Sequence, residues 1–413
     1  MDTVYARCAG VDVHKKTVVV TIRCRDDARQ VRQQTRTYGT MTAQLLELGD
    51  WLEQEGVTHL AMESTGVYWK PIWNLLEDRF EILLVNAQHI KHVPGRKTDV
   101  KDSEWIAQLL QCGLLRGSFV PEAAQRELRE LTRQRRQLVH AKASVANRIQ
   151  KVLEDANIKL GSVATDVLGV SGRDMLRALV AGQDDPEQLA ELARRKLRAK
   201  IPALRVALQG RVTEHHRFLL GLLLEELTSL EGYIDRLTAR IEEKLPAPFA
   251  EAVQRLATIP GIDQRAAENI LAETGIDMQV FSSAGHLASW AGICSGQRES
   301  AGKNKSGRTR KGNQWLRTTM VQVAWAASHT KNTYLSAQYR RLAGRRGKKR
   351  ALVALGHTIL VMIYHLLKEG TTYQELGGDY FERLDSERLT RTLVRRLERL
   401  GHEVVLKQKE PAA

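Results

Sequence analysis

The chain has 413 residues, and its 63 Lys and Arg against 48 Asp and Glu give a formal net charge of +15. The window 301–350 holds 14 basic and no acidic residues, which accounts for nearly all of this charge and excludes a uniformly basic protein of the histone or ribosomal type. Such a local excess indicates a polyanionic partner, for which nucleic acid is the first expectation and an acidic membrane surface the alternative.

Three further properties narrow the class of protein. Hydrophobic residues make up 43% of the chain, which argues against global disorder. The four cysteines are far apart without a CxxC pair, which predicts a reducing compartment and neither a zinc knuckle nor a disulfide framework. No secretory signal is visible, and the longest apolar stretch, Ala351–Leu367, is shorter than the roughly 20 residues of a spanning helix. We therefore expect this stretch to be a buried helix and the protein to be soluble and cytoplasmic, with no membrane partner.

Residues 1–118 alternate strand and helix signals. The predicted strands are Arg7–His14, Thr17–Arg23, Gln33–Tyr38, His59–Glu63 and Glu81–Val85, and the predicted helices are Thr40–Gln54, Trp69–Asp78 and Val100–Leu110. Three strands that can pair as a meander, followed by βα units, are typical of the ribonuclease H-like layout. The predicted fold class is therefore α/β for this segment and all-α for the rest of the chain.

Residues 119–248 are almost all compatible with helix. Apolar and long side chains recur at 3-4 spacing from Leu128 to Val152 and again from Leu220 to Ile241. Heptad spacing over this length predicts a coiled-coil or long-hairpin arm. The pattern leaves open whether the two helices pack on each other or form a dimerisation arm. Of the remaining segments, 249–368 holds the C-terminal motifs, and 369–413 predicts a charged helix, Ser386–Leu400, with a polar tail.

Four carboxylates are expected to meet at one edge of the predicted sheet. Asp12 interrupts the apolar first strand and Glu63 ends the fourth, and these strands are neighbours in a ribonuclease H-like sheet. Asp99 and Asp102 are three residues apart at a helix N-terminus and so share a face. Buried carboxylates need a partner, and clustered carboxylate oxygens suit Mg²⁺. We predict that the four bind one or two Mg²⁺ ions that hold a phosphodiester; the alternative is helix caps and surface charges.

The sequence Ile259-Pro-Gly-Ile262 lies between two helical runs, Ala250–Ala257 and Gln264–Glu273. Gly261 can adopt a positive φ, and the N-terminus of the second helix offers N–H groups to a phosphate. This predicts a helix-hairpin-helix in which the turn at Gly261 contacts the nucleic-acid backbone. A plain packing hairpin is the alternative.

A Gly- and Ser-rich loop packed with cations follows, and a second basic cluster lies beyond a predicted helix at Gln314–Ser328. Glycines allow close approach of the backbone to phosphates, and Lys and Arg neutralise their charge. The predicted nucleic-acid contacts are Arg298, Lys303, Lys305, Arg308, Arg310, Lys311, Arg345, Arg346, Lys348 and Lys349. Composition alone does not select Ser300 over Ser295 or Ser306 as a functional serine.

These motifs resemble those of the DEDD transposases of bacterial insertion sequences. The resemblance is carried by Gly10-Val-Asp12-Val-His-Lys, Met62-Glu63-Ser-Thr-Gly-Val-Tyr-Trp, Lys97-Thr-Asp99-Val-Lys-Asp102, Ile259-Pro-Gly-Ile262, Ala291-Gly-Ile, Arg298-Glu-Ser300-Ala-Gly302-Lys303 and Lys311-Gly-Asn313. It covers about residues 5–366 in the family's order. It implies a RuvC-like domain, a coiled-coil arm and a serine-bearing transposase domain.

The resemblance also implies an activity, a cofactor and partners. It implies a recombinase that excises and inserts its own element, guided by a structured non-coding RNA. Asp12, Glu63, Asp99 and Asp102 would hold Mg²⁺, and Ser300 would be the nucleophile through the Ser-x-Gly-Lys spacing to Lys303. The expected partners are double-stranded DNA of the element ends and target, the guide RNA and further copies of the chain in a dimer or tetramer. The expected location is the cytoplasm, in association with the nucleoid.

In the implied mechanism, Ser300 attacks a DNA phosphodiester, forms a phosphoserine ester and releases a deoxyribose hydroxyl, so that bond energy is conserved without ATP. Two other functions compete with this one. The first is a RuvC-like nuclease that hydrolyses DNA junctions with water. The second is a non-catalytic helix-hairpin-helix nucleic-acid-binding protein, which the presence of all four carboxylates disfavours.

Overall fold

The computed structural model describes residues 3–25, 30–64, 66–86, 102–294, 299–300, 303–304, 309 and 311–406, with the backbone alone at 299–300, 303–304 and 388–389. The chain forms two compact units, Met1–Pro121 and Glu122–Ala413. The predicted division at residues 118, 248 and 368 is finer than this and stays a prediction.

The first unit is a five-stranded mixed sheet with helices on both faces. Its strands are β1 (Arg7–Val13), β2 (Thr17–Arg25), β3 (Val31–Gly39), β4 (His59–Glu63) and β5 (Glu81–Val85), and its helices are α1 (Thr42–Gln54), α2 (Trp69–Leu76) and α3 (Asp102–Gln111). The strand order is β3-β2-β1-β4-β5, with β1 antiparallel to β2 and parallel to β4. The predicted order of elements, and the pairing of the first strand with the fourth, are confirmed.

The two faces of the sheet bury different side chains of β1. Ala9 and Val11 pack into a core with side chains of α1 and α2. Cys8 packs on the opposite face, in a core that includes Trp105 and Ile106 of α3. Because both faces are covered, β1 is apolar at nearly every position, which is the pattern of a central strand rather than an edge strand.

Helix α1 begins two residues later than predicted. The hydroxyl of Thr40 donates a 3.3 Å hydrogen bond to the carbonyl oxygen of Lys15, so this side chain is directed to the β1–β2 turn. Met41 stands at the N-cap position and makes no side-chain capping bond. The five-stranded sheet and the helical second unit agree with the predicted fold class and are compatible with a ribonuclease H-like domain.

The second unit begins with a long helical arm. Its two long helices, α4 (Ala123–Asp155) and α9 (Glu214–Lys244), pack along each other within the chain. Between them lie α5 (Leu160–Val163), α6 (Val170–Val180), α7 (Pro186–Glu191), a 3₁₀ helix (Arg195–Lys200) and α8 (Ile201–Ala207). These short helices share one apolar core with the two long ones, centred on residues such as Ile149, Leu176 and Leu220.

The remainder of the second unit is also helical. Its helices are α10 (Ala247–Leu256), α11 (Gln264–Thr274), a 3₁₀ helix (Met278–Val280), α12 (Ala284–Trp290), α13 (Gln314–His329), α14 (Tyr334–Arg346), α15 (Lys348–Glu369), α16 (Tyr380–Leu384) and α17 (Ser386–Arg399). A two-stranded ladder, β6 (Glu299–Ser300) with β7 (Lys303–Asn304), lies between α12 and α13 in the chain.

Helix α15 contains the longest apolar stretch of the sequence. By length and composition alone it could cross a membrane. It packs against α12, α13 and α14, and Ala351, Leu355, Ile359 and Ile363 are fully buried. The prediction that this stretch is a buried helix is therefore confirmed.

Candidate functional site

Two of the predicted carboxylates lie opposite each other on neighbouring strands. The parallel register of β1 and β4 pairs Val11 with Met62, so the next pair along both strands is Asp12 with Glu63. Because side chains alternate between the faces of a strand, Asp12 shares the face of Cys8 and Glu63 shares that of Ala61, which is the face covered by α3. Both carboxylates therefore lie at the carboxyl ends of their strands, on the same side of the sheet.

Helix α3 brings a third carboxylate to this face. A Cβ atom at Gly10 would lie 2.2 Å from the carbonyl oxygen of Ser103, so only glycine allows the helix backbone to rest on β1 at this point. The hydroxyl groups of Ser103 and Thr21 are 2.9 Å apart, which ties the first turn of α3 to β2. Asp102 is the first residue of α3. Since α3 runs antiparallel to β1, Asp102 stands at the end of the helix nearest Asp12.

A histidine that the sequence analysis did not select contacts Asp12. His14 Nε2 lies 3.1 Å from Asp12 Oδ2, and the imidazole is 60% exposed while the carboxylate is 23% exposed. The backbone N–H of His14 donates to the carbonyl oxygen of Thr17 at the β1–β2 turn, which fixes the position of the ring. The i, i+2 spacing from Asp12 was the signal that could have identified it, because such residues share a strand face.

The chemistry of the carboxylate set fits a hard divalent cation. Four carboxylates offer the oxygen ligands that Mg²⁺ prefers, with water and phosphate oxygens to complete its coordination. Asp99 lies outside the described residues. Within the described ranges, no three His, Cys, Asp or Glu side chains come close enough together to hold a metal ion. The metal-binding roles of Asp12, Glu63, Asp99 and Asp102 therefore stay predictions.

The segment that carries Ser300 leaves and rejoins the helical unit at one point. A Cβ atom at Gly312 would lie 2.4 Å from the backbone nitrogen of Gly292, so the two ends of the segment are in close backbone contact. The N–H of Asn313 donates to the carbonyl oxygen of Trp290. Within the segment, Ser300 is paired with Lys303 in the antiparallel β6–β7 ladder.

Five predicted contacts in this segment have no described side chain. Lys303 has a described backbone only, and Arg298, Lys305, Arg308 and Arg310 lie outside the described residues. Lys311 is described and exposed. The roles of these cations stay predictions.

A buried carboxylate holds the end of this segment. Glu273 of α11 is 3% exposed, and its Oε2 accepts a 2.6 Å hydrogen bond from Asn313 Nδ2. Arg133 of α4 donates to both of its oxygens, at 2.7 and 2.8 Å. Arg129 Nε lies 3.3 Å from Oε2. Burial lowers the pKa of Arg129 to about 10, and the Glu273 carboxylate opposes this shift.

The same interface contains a second buried ion pair and an aromatic contact. Arg135 and Glu268 are 3% and 1% exposed and lie 2.8 Å apart. Arg136 donates to the carbonyl oxygen of Trp315, and its guanidinium lies 5.7 Å from the centre of that indole ring. The arm helix α4 is thus bound to α11 and α13 by charged groups in a buried setting. Sequence reasoning missed this interface, because the partners are more than 130 residues apart.

The turn at Gly261 is packed against another helix. Gly261 has a φ of 91°, and a Cβ atom there would lie 2.5 Å from the backbone nitrogen of Ala327 in α13. Asp263 already caps α11 by accepting from the N–H of Ala266. A cavity of about 290 Å³ beside this N-terminus is lined by Asp263, Glu242 and Glu268, which disfavours an anion. Packing alone accounts for this glycine, and its contact with nucleic acid stays a prediction.

The second basic cluster lies at the corner between α14 and α15. Arg345 and Arg346 are in the last turn of α14, where the helix dipole favours cations. Lys348 and Lys349 begin α15, where the dipole disfavours them. All four are exposed. Cations at a helix N-terminus are an arrangement that bound phosphates would stabilise.

Comparison with known proteins identifies the family. A DEDD model of the IS110 group, described as a transposase, matches residues 9–158, and the model for the transposase IS116/IS110/IS902 family matches residues 253–340. Together the two models cover more than half of the chain, in the order in which the family carries them. The chain belongs to the IS110 family of transposases.

Curated relatives of this transposase carry the same name. The transposase for insertion sequence element IS1111A of Coxiella burnetii is 24% identical over 296 residues, which are 70% of this chain and 72% of that protein. The transposase candidate y4pF/y4sB of Sinorhizobium fredii is 25% identical over 342 residues, which are 80% of this chain and 78% of that protein. An IS110-family transposase cleaves and rejoins DNA, so DNA is its partner, and its DEDD domain indicates dependence on divalent metal ions.

Proposed function

We propose that this transposase moves its insertion sequence by serine transesterification assisted by Mg²⁺. The observation that carries the proposal is the register of β1 and β4, which aligns Asp12 with Glu63 on the sheet face that α3 and Asp102 also reach. The second support is the Ser300 segment, whose ends are clamped together at Gly292 and Gly312.

The proposed chemistry consists of two balanced transfers. The Ser300 oxygen bonds to the phosphorus of a DNA phosphodiester, the bond from phosphorus to one deoxyribose oxygen breaks, and the serine proton ends on the released hydroxyl. A deoxyribose hydroxyl of the partner strand then attacks the phosphoserine ester, forms the new phosphodiester and restores Ser300. The number of phosphate ester bonds is unchanged, so no external energy source is needed.

The chain's own residues have distinct proposed roles in these steps. Asp12, Glu63, Asp99 and Asp102 hold Mg²⁺, which when bound supplies charge neutralisation at the phosphate and a lower pKa for the attacking hydroxyl. His14 orients the carboxylate of Asp12 through the hydrogen bond between them. Lys303, Lys311 and the cluster of Arg345, Arg346, Lys348 and Lys349 bind DNA phosphates, together with Arg298, Lys305, Arg308 and Arg310.

We further propose the assembly that the resemblance implies. The arm of α4 and α9 acts as a coiled coil and brings copies of the chain into a dimer or tetramer, because exchange of strands between two duplexes needs more than one Ser300. A structured guide RNA is the second polyanion for the basic window, and the Gly261 turn acts as a helix-hairpin-helix on the nucleic-acid backbone. The working location is the nucleoid.

A strand-exchange assay on element-end DNA with denaturing gel analysis tests the reaction class. We expect wild-type protein to form a covalent protein–DNA species, and Ser300→Ala to lose it while Ser295→Ala and Ser306→Ala keep it. If wild-type protein yields only hydrolysed ends with no covalent species, the RuvC-like nuclease is the better description. If no strand is cut at all, the non-catalytic alternative is favoured.

A further inference from the structure

The arm contains a basic cavity that lies outside both matched regions of the chain. The loop before α6, the first turn of α6 and the 3₁₀ helix Arg195–Lys200 enclose about 510 Å³. Four cations line it, against one carboxylate, Asp166. Since residues 121–300 as a whole carry nearly equal numbers of basic and acidic side chains, this concentration of positive charge is local. The four cations are Arg194, Arg195, Lys196 and Lys200.

Some of these cations are fixed and others are available. Arg194 forms an ion pair of 2.6 Å with Asp174, and Lys200 donates to the carbonyl oxygen of Val163 at 2.9 Å. Arg195 and Lys196 are exposed on the same wall. Like charges crowded at one wall repel each other, and an anion in the cavity would remove that repulsion.

The backbone of the cavity adds to the attraction for anions. Gly169 is the N-cap residue of α6 and provides no side-chain cap for the first-turn N–H groups. Ser171 lines the cavity and accepts a hydrogen bond from the N–H of Arg194, which joins the helix to the cationic segment. The positive end of the helix dipole therefore lies beside the four cations. It is a secondary contribution, since the side-chain charges are full charges.

The cavity lies near the end of the arm that contacts the C-terminal helices. Arg173, in the first turn of α6, is bound to Glu231 of α9, and Glu231 also binds Lys142 of α4. Lys142 is six residues from Arg136, the residue that contacts Trp315, and six residues of helix span about 9 Å. One turn of duplex DNA is about 34 Å long. A nucleic acid bound near α13 can therefore also reach the level of this cavity.

We propose that this cavity binds the phosphodiester backbone of a nucleic acid, as a contact of the arm that is separate from the carboxylate site and the Ser300 segment. The exposed Arg195 and Lys196 are its principal phosphate contacts. A phosphodiester can come from element DNA or from a structured RNA, and the two present the same anionic group. The proposal does not depend on the identity of the nucleophile.

The test measures how binding of nucleic acid to the full-length protein depends on salt. The variant is Arg195→Gln with Lys196→Gln, and the matched control is Lys151→Gln with Arg236→Gln, two exposed cations of the arm outside the cavity. The charge-preserving variant Arg195→Lys with Lys196→Arg shows whether charge or side-chain shape is needed. The two probes are a duplex carrying an element end and an RNA transcript of the element's non-coding flank.

We expect the cavity variant to flatten the plot of log binding constant against log salt by about 0.9 for each lost duplex phosphate contact, or about 0.7 for a single strand. The control and the charge-preserving variant should keep the wild-type slope. A change with the duplex alone identifies DNA as the source of the phosphodiester, and a change with the transcript alone identifies RNA. A wild-type slope for the cavity variant with both probes, or an equal change in the control, overturns the proposal.

Discussion

Asn313 donates a 2.6 Å hydrogen bond from Nδ2 to Oε2 of Glu273, a carboxylate that two arginines of the arm also bind. Through its Oδ1, Asn313 also accepts from the N–H of Leu316 and so caps α13. One side chain therefore connects the end of the Ser300 segment, the start of α13 and, through Glu273, the long helix α4. This relationship makes the arm part of the framework that holds the segment.

Replacement of Glu273 tests that framework. Glu273→Gln keeps the shape of the side chain but leaves Arg133 and Arg129 without their anionic partner. Because removing one partner of a buried ion pair costs about 3–5 kcal/mol, we expect the free energy of unfolding in urea to fall by about 3 kcal/mol. Glu251→Gln, an exposed position on α10, should change it by less than about 0.5 kcal/mol. Equal unfolding curves for the two variants would contradict this account of the interface.

The close approach of α3 to β1 predicts the effect of a single methyl group. In Gly10→Ala the new Cβ would meet the backbone of Ser103 and Ala107, neither of which can rotate away. We expect a loss of about 2–3 kcal/mol in the free energy of unfolding, together with reduced DNA cleavage, because Asp102 moves with α3. Gly232→Ala is the control, since a Cβ there meets nothing within 4 Å. In the middle of α9 it should stabilise by about 0.5–1 kcal/mol.

The contact between Asp12 and His14 predicts a graded effect on catalysis. Asp12→Asn removes a proposed metal ligand and should lower the rate of covalent adduct formation by about 100-fold or more. His14→Gln keeps the carboxylate and removes only its hydrogen-bond partner, so a loss of about 10-fold is expected. Glu47→Gln, an exposed acidic position on α1, should leave the rate unchanged. A larger loss in His14→Gln than in Asp12→Asn would show that this assignment of roles is wrong.

Glu231 predicts a dependence of stability on pH. Its hydrogen bond with Arg173, and a second with Lys142, lower the pKa of the Glu231 carboxyl from 4.5 to about 2. A depressed pKa means that the contribution is complete above pH 4.5 and is lost as the pH falls toward 2. We expect Glu231→Gln to cost about 2–3 kcal/mol at pH 7, and less at each step below pH 4.5.

Urea unfolding of wild type and Glu231→Gln at a series of pH values measures this difference. Glu226→Gln is the control, because Glu226 and its partner Arg148 are both nearly half exposed and such pairs contribute less than about 1 kcal/mol. A difference between wild type and Glu231→Gln that is constant from pH 7 to pH 3 would rule out the proposed linkage.

The sheet and its pairing of Asp12 with Glu63 could be predicted from the sequence for a physical reason. Strand and helix periodicity is local, and the order of elements limits which strands can be neighbours. Asp12 then attracted attention because a charge within an apolar strand needs an explanation. These arguments need no knowledge of which distant side chains meet.

The contacts that position the site could not be predicted in the same way. Ser103 and Thr21 are 82 residues apart, and Arg133 and Glu273 are 140 residues apart. Arginine and glutamate on a helix surface are normally solvated, so no local pattern distinguishes a buried pair from an exposed one. The cavity beside Arg195 was missed because the run of cations was lost in a segment with balanced charge.

The most direct test of the central claim is to identify the residue that becomes linked to DNA. Trypsin cleaves after Arg298 and Lys303, so the peptide Glu299–Lys303 contains Ser300 as its only serine, while Ser295 and Ser306 fall in other peptides. After a stalled reaction, nuclease digestion and mass spectrometry, we predict a nucleotide adduct on this five-residue peptide. An adduct on the peptide of Ser295 or Ser306, or cut DNA without any adduct, would contradict the account.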